Sequence, residues 1–157
     1  FKFKNTETAN KVTIVNIQIK DNDKGTMSIT DGSWSNLSAT GASGNIFTLY
    51  QPVVAAEVTA ASTLDIPKQL MLFPKSGAEM AANTASGLSF VLNLKDASDQ
   101  DKAVTIAPKV PATGLEAGKS YLYTLLYSET AKDFITLSTE VVDWVDATGG
   151  DLPVVPN

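Results

Sequence analysis

The sequence predicts an all-β protein: a two-sheet antiparallel β-sandwich with Greek-key connections and about seven to eight strands. Three observations lead there. Apolar and polar residues alternate with period two in several segments, short polar stretches rich in Gly, Asp and Ser separate those segments, and no stretch repeats its apolar residues at helical spacing. At 157 residues the chain has the size of one domain. Residues 1–157 are therefore read as a single sandwich domain, with 149–157 as an extended tail.

Taken in order, Phe1-Lys2-Phe3-Lys4 alternates apolar and basic residues and reads as a short edge strand or a frayed terminus. Lys11 to Lys20 is a longer strand, with Thr13, Val15, Ile17 and Ile19 on one face and Asn16, Gln18 and Lys20 on the other. Asp21 to Gly25 is a turn in which glycine supplies a positive φ. Thr26 to Thr30 is a short return strand, and Trp34 to Gly44, small and polar, is a long connection. Asn45 to Tyr50 is a strand stopped by Pro52, and Val53 to Thr63 is a helical turn or a loop lying on the core. Leu64 to Pro74 is an apolar strand bracketed by prolines. Leu88, Phe90, Leu92 and Leu94 form one face of the next strand, and Asp96 to Asp101 turns the chain back into Ala103 to Pro108.

The clearest signal is the last. From Lys119, Tyr121, Tyr123, Leu125 and Tyr127 share a face, and Ile135, Leu137, Thr139 and Val141 alternate in the following run. The polar link Ser128 to Asp133 is short enough for a hairpin closed by Trp144.

Composition narrows the chemistry. There is no cysteine, so there are no disulfides, thiolate metal sites or cysteine nucleophiles. There is no histidine, which removes the commonest general base, the commonest zinc ligand and any Ser-His-Asp triad. The net charge is -5 and every basic residue is lysine, a poor match for nucleic acid or phosphate. The composition thus argues against an enzyme and against a nucleic-acid partner, and it implies no cofactor and no metal. No apolar run approaches the ~20 residues of a membrane helix. The chain starts at Phe1 and reads as a processed piece, associated with a membrane only through a removed lipid anchor.

Four features invite a functional reading. Asp21, Asp23 and Gly25 are spaced somewhat like a calcium loop, but Gly32 stands at the twelfth position, where a bidentate Glu belongs, so a solvated turn is the better reading. Asp96, Asp99 and Asp101 read the same way. Glu116, Glu129, Asp133, Glu140 and Asp143 lie near the last hairpin, yet nothing pairs two of them across a cleft as glycoside hydrolysis requires. Trp34, Tyr121, Tyr123 and Tyr127 are candidate ligand-facing aromatics, although tyrosines on one strand face more often pack in the core. In the tail, Leu152, Val154 and Val155 are candidate residues for strand exchange with another molecule.

Three segments resemble the fimbrillin-like proteins of Bacteroidales, the group of major and minor fimbrial subunits. Leu64 to Leu72 (LDIPKQLML) is similar to the family's proline-glutamine strand, Leu115 to Tyr127 (LEAGKSYLYTLLY) to its glycine-lysine-x-tyrosine strand, and Phe134 to Trp144 (FITLSTEVVDW) to its closing strand. The resemblance spans Lys11 to Trp144. It implies transthyretin-like β-sandwich domains, normally two, exported to the cell surface and outer membrane as lipoproteins. It also implies assembly into fimbriae by strand exchange. On that resemblance the chain is the C-terminal domain of such a protein or a one-domain relative. The expected function is a non-enzymatic structural or adhesive pilus subunit that joins other fimbrial subunits or copies of itself by β-strand addition. The alternative is a surface module that binds a host protein or glycan through exposed aromatics.

Overall fold

The computed structural model describes residues 1–38, 45–76, 88–106 and 113–128, and the backbone of 135–143. Among them there is no helix. The strands are β1 (Lys2–Asn5), β2 (Val12–Asp21), β3 (Lys24–Met27), β4 (Trp34–Ser38), β5 (Asn45–Tyr50), β6 (Ala56–Val58), β7 (Thr63–Asp65), β8 (Ser89–Lys95), β9 (Asp101–Ile106), β10 (Lys119–Tyr127) and β11 (Ile135–Asp143). One sheet runs β11-β10-β1-β7; the other runs β5-β2-β8-β9, with β6 also pairing β2; β3 and β4 form a separate two-stranded ribbon. Among the described residues eleven strands stand where seven or eight were expected, five of them spanning only three to five residues. Such short runs leave too few residues for alternation to show.

The two larger sheets meet in one core. Phe3, Tyr123, Leu125 and Tyr127 come from the first sheet, and Val12, Ile14, Ile17, Ile19, Phe90, Leu92 and Leu94 from the second. Phe90 meets Tyr123 edge-on at 5.5 Å between ring centroids. Fully burying a side chain of this size contributes about 1.5–3 kcal/mol, so this shared layer holds the sheets together.

β2, β8 and β10 anchor the core, each by alternation. In β8 the buried residues are Phe90, Leu92 and Leu94, the face expected from the sequence. In β2 the inward residues are Val12 and Ile14, then Ile17, Ile19 and Asp21. The expected face of Thr13, Val15, Ile17 and Ile19 is therefore right only in its second half. The ladder to β8 shifts between Ile14 and Asn16. A bulge inserts one residue there and exchanges the faces of everything beyond it.

Several other segments depart from the sequence reading. Trp34 to Ser38 is strand β4, paired with β3, and not part of a long connection. The return strand is Lys24–Met27, placed earlier than Thr26 to Thr30. The positive-φ glycine of that ribbon is Gly32, which sits in the turn where Asp31 accepts from the Ser33 N–H (3.0 Å) and hydroxyl (2.8 Å). These bonds pull the Asp31 carboxyl down to about 2. Gly25 lies in β3 and serves packing: a Cβ there would stand 2.8 Å from Leu37 and 3.1 Å from Trp34. Within Val53 to Thr63 the chain forms β6, a three-residue strand, and no helical turn.

The proline-bracketed stretch is a strand only at Thr63–Asp65. The Ile66 N–H still reaches the Phe1 carbonyl at 2.9 Å, but Pro67 has no N–H to continue the ladder. Past it Leu70 and Leu72 pack against the core while Met71 is exposed. The segment ends where Lys75 exchanges backbone bonds with Leu115 at 2.8 and 2.7 Å.

The last hairpin has the expected partners. β10 and β11 pair antiparallel from Lys119↔Asp143 to Leu126↔Ile135, with one irregularity at Thr124/Leu125. Trp144 and the tail 149–157 lie outside the described residues.

Candidate functional site

The chain's most unusual placement is β1. Its residues Lys2, Phe3, Lys4 and Asn5 pair parallel with Thr124, Leu125, Leu126 and Tyr127 of β10. On its other side Lys2, Phe3 and Lys4 pair antiparallel with Asp65, Leu64 and Thr63 of β7. The segment read as an edge strand or frayed terminus is thus an interior strand. Its four residues were too few to show a two-sided burial pattern, and its partners lie far away in sequence.

Side chains lock it in place. Phe3 is fully buried and stacks on Tyr127 at 6.3 Å. Phe1 stacks on Tyr123 at 6.0 Å and meets Phe90 edge-on at 5.9 Å. Asn5, also fully buried, donates from Nδ2 to the carbonyls of Asn10 (2.8 Å) and Val58 (3.0 Å), and accepts from the Glu7 N–H at 3.0 Å. Asn5 therefore satisfies backbone groups of the bend that carries the chain from β1 into β2 and ties that bend to the end of β6. The Thr6 hydroxyl donates to the Tyr127 carbonyl at 2.6 Å.

No turn joins β1 to either sheet neighbour. Its hold on the sheet comes from two backbone ladders and the inward rings. A slot of this kind, with donors and acceptors on both walls and an apolar floor, matches an extended strand whatever chain supplies it.

Beside the slot lies a groove of about 610 Å³, walled by Phe1, Trp34, Leu70, Leu72, Phe73 and Tyr121. Trp34 remains 38% exposed, its ring 4.8 Å from that of Phe73. Tyr121 is half-buried and its hydroxyl accepts the Glu116 N–H at 2.7 Å. A positive φ at Gly118 shapes the turn entering β10. Of the four aromatics singled out in the sequence, the fold brings Trp34, Tyr121 and the edge of Tyr123 to this one groove. Tyr123 and Tyr127 are 2% and 3% exposed and belong to the core. Leu152, Val154 and Val155 lie outside the described residues.

A second feature was missed altogether. Asp21, expected in a solvated turn, is fully buried as the last residue of β2, where Lys75 Nζ donates to its Oδ1. Burial pushes the Asp21 carboxyl above its usual range, against the Lys75 ammonium and the Asn22 backbone N–H, which pull it down. No local pattern announces this pair, because its members stand 54 positions apart. The Asp96 turn is by contrast solvated at Ala97 to Gln100, while Asp96 itself is half-buried and its Oδ1 accepts from the Ser98 and Gln100 N–H groups at 2.9 Å each.

A family model described as fimbrillin-like matches residues 1–144 of this chain. No curated protein and no solved structure matches it.

Proposed function

From the premise that the chain belongs to the fimbrillin-like family, we propose that it is a non-enzymatic subunit of a cell-surface fimbrium that assembles by β-strand addition. The observation that carries this reading is the β1 slot. A strand bonded on both sides, yet joined by a turn to neither neighbour, occupies a place that a strand from another subunit can fill with the same backbone bonds. The two sheets and their common core support reading the fold as a transthyretin-like β-sandwich with Greek-key connections. In this reading it is the C-terminal domain of a larger fimbrillin-like protein or a one-domain relative, and it reaches the outer membrane of its Bacteroidales cell by export and a lipid anchor.

The donor in this proposal is the tail 149–157. Leu152 and Val154 share one face of an extended chain, with Val155 on the other. Pro153 and Pro156 carry no N–H, so the donor bonds at those positions through carbonyls alone. Truncating the chain after Gly150 is expected to abolish polymers in sedimentation and electron microscopy while leaving the β-sheet circular dichroism unchanged. Polymers formed by the truncated chain would rule out the tail as donor.

The groove favours a second reading, a module binding host protein or glycan. Trp34 and Tyr121 face one concave surface, as sugar-stacking aromatics do. Here a glycan array should give a signal with the native chain that Trp34→Ala removes. An array without any signal counts against the glycan form of this reading.

A further inference from the structure

The geometry points to an intramolecular isopeptide bond between the Lys75 side-chain nitrogen and the Asp21 side-chain carboxyl carbon, a covalent staple in a chain that has no cysteine. Both stems are held by backbone. Asp21 closes β2 opposite Asn45 of β5, and Lys75 exchanges two backbone bonds with Leu115. Both side chains are removed from water, at 3% exposure for Lys75 and 0% for Asp21, and they touch. Amine and carboxyl groups fixed in contact react as one molecule, with the high effective concentration that such fixation brings.

As an ion pair this arrangement is poorly resolved. Two charges have left water, and their attraction offsets that loss only when the remaining polar atoms are also satisfied. Asp21 Oδ2 and the adjacent Asn22 Oδ1 are buried with no hydrogen-bond partner among the described residues. Condensation removes both charges and one carboxylate oxygen together.

The step balances without a co-reactant. With both groups removed from water, a proton passes from the ammonium to the carboxylate, leaving a neutral amine and a carboxylic acid; the burial that raises the Asp21 carboxyl favours this transfer. The amine lone pair attacks the carboxyl carbon and the C–N bond forms. The C–OH bond breaks, and its oxygen leaves as water with the hydroxyl proton and one amine proton. What remains is a neutral secondary amide. It ties the end of β2 in one sheet to the segment that bridges Leu115, just ahead of β10 in the other.

The test is the intact mass of the unfolded full-length chain, independent of whether the chain polymerises. The expected mass is one water below that of the sequence, and trypsin should release a branched peptide joining residues 21–24 to 69–95, since an acylated Lys75 resists cleavage. Lys75→Arg keeps a cation opposite Asp21 but lacks the amine nucleophile, and should show the full mass of its own sequence. A native chain at full mass overturns the proposal, and loss of ammonia with the link mapped to Asn22 overturns the assignment to Asp21.

Discussion

Truncating Phe3 to alanine is expected to lower folding stability by about 3–5 kcal/mol, the range for an aromatic removed from a packed core. Phe3 is fully buried, lies between Leu125 and Leu64 in register, and stacks on Tyr127. Alanine keeps both backbone ladders, so the loss isolates what the ring contributes. The exposed Lys2–Asp65 ion pair, 3.7 Å apart, also ties β1 to β7, but such a pair is worth about 0–1 kcal/mol. The ring therefore dominates over the charge in keeping β1 seated. Urea unfolding of Phe3→Ala beside Lys2→Ala checks this, and near-equal small effects would mean that β1 is not docked in solution. If the strand-addition reading holds, Phe3→Ala should also accelerate replacement of β1 by a donor strand.

Replacing Lys75 alone with methionine is expected to cost a comparable amount, about 3–5 kcal/mol, because Asp21 is left buried opposite an apolar side chain. The penalty should depend on pH. Burial already holds the folded-state Asp21 carboxyl above its ordinary value of 3.8, and removing Lys75 removes a cause that lowers it. A group with a raised folded pKa contributes stability that is fully present below its unfolded pKa and is lost as pH rises through the folded value. Lys75→Met should therefore lie nearest to the native chain below pH 3.8 and fall away from it as pH rises. The double variant Asp21→Leu with Lys75→Met removes both charges. With a simple ion pair it should recover most of the loss. If the two residues are joined covalently it should stay well below the native chain, since the closed loop of the linked chain is gone. Denaturant midpoints of the three chains at two pH values decide the matter.

Much of the fold was legible where alternation runs long enough. β8 and β10 carry seven and nine residues, and each displays its inward face in sequence, as does the outer half of β2. What could not be read has identifiable causes. The bulge in β2 shifts the phase without any glycine or proline to mark it. β1, β3, β4, β6 and β7 are too short to carry a period. The depth of β1 depends on partners at Leu125 and Leu64, set by tertiary pairing rather than local propensity. The candidate site divides along the same line. Trp34 and Tyr121 were readable as aromatics, but only the fold separates half-buried Tyr121 from Tyr123 and Tyr127, buried on the same strand face. Asp21 sits among Asn22, Asp23 and Lys24 in a string that reads as surface. Its burial follows from a lysine more than fifty positions downstream.

The parallel pairing of β1 with β10 also bears on how the chain is made. Lys2 leaves the ribosome well before Thr124, its partner in the sheet. At about 5–20 residues per second that interval is roughly 6–25 s. Through it the β8–β9 hairpin can form on nearby contacts and take up β2, while Phe1 and Phe3 wait with their rings in water. The earliest of the described strands is thus among the last to be seated. During those seconds the nascent chain offers any neighbour an unfilled place and an unplaced strand.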